Sequence, residues 1–116
     1  MAESTGLPRR FLRPFLLVNL RQVGRSYGYE LFQAVSDLGV VVVDLAGVYR
    51  ELRFLEQRGA VCSVWEPSHA GPDRRVYELT PTGQIAAAAA MDDLVAVRDG
   101  LDEAVRRLAE PAVPHP

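Results

Sequence analysis

Two pairs of arginines have the types and spacing to do chemistry. Arg50 and Arg53 lie three residues apart in DLAGVYRELRFLEQR (44–58), and Arg74 and Arg75 are adjacent at the start of RRVYEL (74–79). A guanidinium is a planar fork of donors that grips a phosphate or a base edge with two hydrogen bonds. Arginines about one helical turn apart, next to Tyr49, form a row along a helix, and arginines on a strand can follow a line of phosphates. Groups for covalent chemistry are sparse. The chain has one cysteine, Cys62, and two histidines, His69 and His115. No nucleophile stands beside a base and no carboxylates form a paired, buried set, so neither an enzyme nor a metal or cofactor site is expected. Cys62 reads as a small hydrophobe on a strand, and His69 as a solvated residue at a turn.

These arginines need elements to hold them. Asp44 is suited to cap a helix and Gly59 to end it. At about 100° per residue, Leu45, Val48, Tyr49, Leu52 and Leu55 fall on one face of that helix, which must be core. Gly47, Arg50, Arg53, Phe54 and Gln57 fall on the other. Phe54 there either meets a thymine methyl, packs on the first helix or arm, or marks a protein-binding surface. Two strands follow, VCSVWE (61–66) and RRVYEL (74–79), joined by a tip, SHAGPD, rich in turn residues. On the first of them Trp65 either packs at the root of the ribbon or serves as a ligand-stacking ring. A helix followed by a two-stranded ribbon, with arginines on the helix face and on the ribbon, is the layout of a winged helix-turn-helix, in which the helix enters a groove and the ribbon lies along the backbone.

The remaining segments complete that layout. PFLLVNLRQV (14–23) reads as a central buried helix with Pro14 in first position and Gly24 as its stop. Before it, Arg9, Arg10 and Arg13 either touch phosphate or solvate the helix entry. A second helix begins near Ser26-Tyr27-Gly28-Tyr29 and ends at Gly39, with Tyr29, Leu31, Phe32 and Val35 as its inner face. VVVV (40–43) reads as a short strand able to pair with the ribbon. Thr80 and Pro81 open a last helix that runs to about Leu108. In it Met91, Leu94, Arg98, Leu101, Val105 and Leu108 repeat with 3–4–3–4–3 spacing, a heptad seam with one arginine. A long amphipathic helix on a small body points to dimerisation. Arg98 in the seam fixes register, binds an anionic effector, or snorkels outward. A hydrophobic slot between Phe15, Trp65 and the last helices is a candidate place for an effector.

With 116 residues, 48% apolar and 24% charged, one globular domain is the default. The net charge of −2 conceals an asymmetry. Residues 1–75 hold 10 arginines against 8 acids, and residues 76–116 hold 3 against 7, so the front is basic and the last helix acidic. That suits a DNA-reading body with a separate association helix. No apolar run is long enough to span a bilayer and MAESTGLPRR lacks signal-peptide order, so a cytoplasmic location is expected. The organisation expected is a tail over 1–8, a DNA-binding domain over 9–80, a dimerisation helix over 81–109 and a disordered tail over 110–116. The fold class is α+β, mostly α.

Four motifs resemble the PadR family of winged-helix transcriptional regulators over roughly residues 12–108. Tyr27-Gly28-Tyr29-Glu30-Leu31 is similar to its His-Gly-Tyr-Glu-Leu. Gly47 to Gly59 is similar to its Gly-Thr-Leu-Tyr-x-x-Leu-x-x-Leu-Glu-x-x-Gly. The others are Trp65-Glu66 with Gly71-Pro72 and Arg74-Arg75-Val76-Tyr77, and Leu79-Thr80 with Gly83. Departures are Tyr27 for a frequent His, Phe54 for a common basic residue, and Asp44 where a Ser-Pro step is frequent. The resemblance implies a homodimer joined by the first and last helices, binding a palindromic operator on double-stranded DNA and usually repressing. It also implies a small-molecule effector at the dimer interface. Tyr49, Arg50 and Arg53 would then read the major groove and its flanks, Arg74 and Arg75 would hold the backbone beside the wing, and Tyr27 would cap a phosphate. The effector site would draw on Phe15, Trp65 and Arg98, and the dimer interface on Met91, Leu94, Leu101, Val105 and Leu108. A second reading from the residues is a protein-interaction module on the same frame, using the Phe54 surface to bind another regulator.

Overall fold

The computed structural model describes residues 6–113. After a short 3-10 turn, Arg9–Phe11, come α1 (Leu12–Val23), β1 (Arg25–Tyr27), α2 (Gly28–Leu38), α3 (Leu45–Gln57), β2 (Val61–Glu66), β3 (Arg74–Leu79) and α4 (Pro81–Ala109). α1 is the hub. Its stripe of Leu12, Leu16, Leu17 and Leu20 is buried and joins Leu31 and Val35 of α2, Val48 and Leu52 of α3, and Ala87 and Ala90 of α4 in one cluster. Pro14 is the third residue of α1 rather than the first. It is tolerated there because the N–H groups of a first turn have no intrahelical partner.

The strands form an antiparallel sheet in the order β1-β3-β2. The ribbon occupies the residues expected, 61–66 and 74–79. The third strand does not. Residues 40–43 form no strand: Val41 makes a lone parallel bridge with Leu7, and Leu7 N–H donates to Val40 O at 2.6 Å while Val42 N–H donates to Leu7 O at 2.9 Å. The strand that pairs with the ribbon is Arg25–Tyr27, with Tyr27 opposite Val76 and Ser26 opposite Tyr77. The physical reason lies in the cap of α2. Tyr27 precedes the helix with φ −77° and ψ 155°, an extended conformation whose edge is free to join a sheet. Residues 6–8, expected as loose tail, are held by the Leu7 bridge. Residues 1–5 and 114–116, the latter including His115, lie outside the described residues.

Three side chains expected inside are outside. Tyr29 is 51% exposed, and α2 instead buries Gly28, Leu31 and Val35. Cys62 is exposed because β2 alternates, and it turns away from the core that Val61 enters. Tyr49 is 39% exposed at the edge of the α3 core face. Gly47, placed outward by the helical wheel, is buried.

α4 begins as expected, with the Thr80 hydroxyl accepting from Gly83 N–H at 3.0 Å and donating to Gly59 O at 2.5 Å. Gly83 has no room for a side chain, since a Cβ would overlap the Ala60 carbonyl. The first half of α4 packs on α1 through Ala87 and Ala90. The rest projects from the body, which gives the chain a long dimension of 74 Å against 37 and 20 Å.

Candidate nucleic-acid interface

The interface is built on α3. Asp44 caps it, accepting from Gly47 N–H at 2.7 Å, and forms an ion pair with Arg9 at 3.5 Å, which offsets its charge. Leu52 and Leu55 anchor the helix on the core, and Arg50 and Arg53 stand on the exposed face. Neither pairs with a carboxylate among the described residues. Unpaired guanidiniums on a convex helix face are available to phosphates or base edges.

Phe54, on the same helix, is not an open aromatic patch. It is half-buried, with the Arg13 guanidinium 4.2 Å and the Arg58 guanidinium 4.9 Å from its ring centroid. Arg13 also forms an ion pair with Glu51. Of the three roles open for Phe54, packing on the first helix is the one seen.

Between α3, the start of α2 and the ribbon lies a cavity of about 620 Å3. Tyr27, Tyr29, Tyr49, Tyr77 and Trp65 supply its rings, and Gly28 lies in its wall. A Cβ at Gly28 would collide with the Tyr49 ring, so glycine is what lets that ring lie against α2. Trp65 lines this cavity at 63% exposure rather than packing at the ribbon root. Along β2 the side shared by Val61, Ser63 and Trp65 passes from core to groove.

Arg75 crosses this groove. Its Nε donates to Ser63 Oγ at 2.8 Å and its Nη2 to Glu56 Oε1 at 3.1 Å, while Ser63 Oγ donates to Glu56 Oε2 at 2.7 Å. Its guanidinium also lies 5.6 Å from the Trp65 ring and 5.9 Å from the Tyr77 ring. Arg74 instead stacks over Tyr27 at 5.0 Å. The Tyr27 hydroxyl, expected at a phosphate, donates to Glu66 at 3.4 Å, and its backbone N–H donates to Glu30 at 3.1 Å. Burial raises the Tyr77 phenol above its ordinary value, against the opposing pull of Arg75.

The structure thus brings Tyr27, Tyr49, Arg53, Arg74 and Arg75 together, with Arg50 one turn of α3 away. Sequence reasoning missed Glu56, Ser63 and Tyr77. Ser63 was findable, because it shares a strand side with Trp65 and faces Tyr77 in the hairpin register. The slot expected from Phe15, Trp65 and Arg98 does not form around Trp65. Phe15 packs on the core cluster, Arg98 pairs with Asp99 at 3.1 Å far along α4, and neither lines the cavity. The seam residues Met91, Leu101, Val105 and Leu108 are exposed at 42, 55, 62 and 85%, and Leu94 is half-buried.

The sequence over residues 16–89 matches the model of the transcriptional regulator PadR-like family. The chain belongs to the PadR-like family. It is therefore a DNA-binding transcriptional regulator rather than an enzyme, and its winged-helix fold with a C-terminal helix agrees. No curated protein matches the chain. Among solved structures, the circadian clock associated protein Pex from Anabaena is similar, with 27% identity over 82% of this chain and 86% of that one and a TM-score of 0.64. A Streptococcus mutans structure shares the fold over 95% of this chain and 98% of that one, with 21% identity and a TM-score of 0.72. A PadR-like transcriptional regulator from Bacillus cereus does so over 84% and 93%, with 21% identity and a TM-score of 0.71. In this member of the family, no helix among the described residues is long and apolar enough to cross a membrane.

Proposed function

We propose that this PadR-like chain works as a homodimer that binds a palindromic operator in the cytoplasm and represses from it until a small-molecule effector intervenes. The observation that carries the reading is the pair Arg50 and Arg53, exposed and without carboxylate partners among the described residues, beside the wing arginines Arg74 and Arg75. In the proposed complex α3 enters the major groove, where Tyr49, Arg50 and Arg53 meet base edges and flanking phosphates. Arg74 holds the backbone beside the wing, joined by Arg75 when it leaves Glu56. Tyr27, once its hydroxyl leaves Glu66, and the N–H groups opening α2 other than the one held by Glu30 face a phosphate, as helix starts favour anions. Two copies joined along Met91, Leu94, Leu101, Val105 and Leu108 would present two such faces by two-fold symmetry, which a palindrome mirrors.

Mobility shift on the chain's own upstream DNA, at low and moderate salt, tests this. The expected result is a specific shift that weakens steeply with salt and is lost in Arg50→Ala with the fold intact. Each phosphate-binding arginine removed should lower the slope of log affinity against log salt by roughly one unit. A flat salt response, or an unchanged shift in the variant, would overturn the mechanism. The alternative of a protein-interaction module on the Phe54 surface has less support, since two guanidiniums cover that ring.

A further inference from the structure

All four tyrosines of the chain and its only tryptophan line one cavity. Phosphate backbones are held by cations and N–H donors, so the four rings open to the groove, with Tyr77 buried beneath them, exceed what a backbone contact uses. Aromatic faces stack on other flat rings, nucleobases included. The volume of about 620 Å3 lies within the ~300–1,000 Å3 of small-molecule sites. The charges lining the cavity are unevenly engaged. Arg75 is paired with Glu56, and Glu30 accepts from the Tyr27 N–H and the Ser26 hydroxyl. Arg53, Arg74 and Asp73 have no opposite-charge partner among the described residues. Glu30 has no cationic partner either, so the open charges balance, and Arg53 and Arg74 are the two cations left to meet an anionic group.

We propose that this groove is a ligand site for a free nucleotide, its base stacked against Tyr49 and Trp65 and its phosphate held by Arg53 and Arg74. The proposal rests on the reading of α3 and the wing as the DNA face, and it adds a mode of control. The ligand occupies the surface a duplex would cover, so the two exclude each other by direct overlap, without any change in the angle between subunits. An aromatic carboxylate offers similar chemistry, a flat ring with an anionic group, and the test separates the two.

Because Trp65 is the only tryptophan, its fluorescence reports the groove alone. The full chain is titrated with deoxyadenosine monophosphate, adenosine, inorganic phosphate and benzoate. Saturable quenching by the nucleotide is expected, with adenosine and phosphate each at least about tenfold weaker, as expected when one charged or stacking contact is missing. Arg53→Ala and Arg74→Ala should each weaken the nucleotide by about tenfold with circular dichroism unchanged, and Arg53→Gln gives a second substitution should the alanine variant misfold. Absence of saturable quenching, or equal quenching in both arginine variants, overturns the site. Benzoate binding as tightly as the nucleotide overturns the nucleotide assignment in favour of aromatic carboxylates. In parallel, a fluorescent duplex is bound at low salt and the nucleotide added. Release is expected, and a duplex retained at nucleotide saturation overturns direct competition. If the chain binds no duplex at all, the DNA-face reading fails, while the titration still decides the ligand site.

Discussion

At Arg75 two demands meet on one guanidinium. Glu56 and Ser63 hold it across the groove, while a DNA backbone beside the wing would draw it outward. Both partners are partly exposed, at 42% and 30% of their side chains, so the pair is a weak lock that solvent screens. Glu56→Gln should therefore raise affinity for non-specific duplex at low salt by roughly twofold to fivefold and steepen the salt slope. Fluorescence anisotropy at two salt concentrations checks it. Tyr77 shows another effect of the groove. Its folded phenol titrates above the unfolded value because burial disfavours the phenolate. The folded state then holds its proton more tightly than the unfolded state does. Its contribution is complete below the unfolded value of about 10 and is lost as pH rises from there through the folded one. Tyr77→Phe should flatten the fall of melting temperature above about pH 10 and leave neutral pH almost unaffected, as thermal scans across that range would show.

Among the elements, α3 depends on how it starts. Asp44 satisfies an N–H that would otherwise lack a partner and also neutralises Arg9. Asp44→Ala should cost about 1 kcal/mol in urea unfolding, yet it should strengthen DNA binding by removing a carboxylate near the phosphate path. An unchanged unfolding midpoint would remove the cap from the account. The caps, glycine stops and ribbon were legible in the sequence because they depend on neighbours in the chain: Thr80 with Gly83, Gly24 with φ 85° and Gly39 with φ 70°. The strand at 25–27 was not legible. Three residues carry too short a pattern, and their partner, β3, lies some fifty positions later. The valines at 40–43 have strand propensity, but β1 already occupies the free edge of β3, so only Val41 finds a partner, in Leu7.

For the whole molecule the main feature is α4, a helix of 29 residues, about 43 Å long at 1.5 Å per residue, whose second half is exposed along its length. Its surface carries its own ion pairs, such as Arg107 with Glu103 at 2.9 Å, and these support the helix only slightly. Leu101, Val105 and Leu108 remain apolar and exposed, a stripe that a second copy would bury. Leu101→Glu combined with Val105→Glu should yield a folded monomer by analytical ultracentrifugation. It should also lose tight binding to a palindrome while keeping weak, salt-sensitive binding to any duplex. A variant that sediments as the native chain does would remove this seam from the proposed interface. The sequence by itself determined the helices with strong amphipathic stripes, the hairpin, the caps and the basic face of α3, since each is written in spacings of a few residues. Only the tertiary structure decided which rings share a groove. Tyr27, Tyr49, Trp65 and Tyr77 come from four separate elements, and whether a large amphipathic ring lies in the core or at a groove depends on what packs opposite it. Tyr49 and Trp65 sit in the groove because Gly28 leaves space beside one and β2 carries the other beyond the edge of the core.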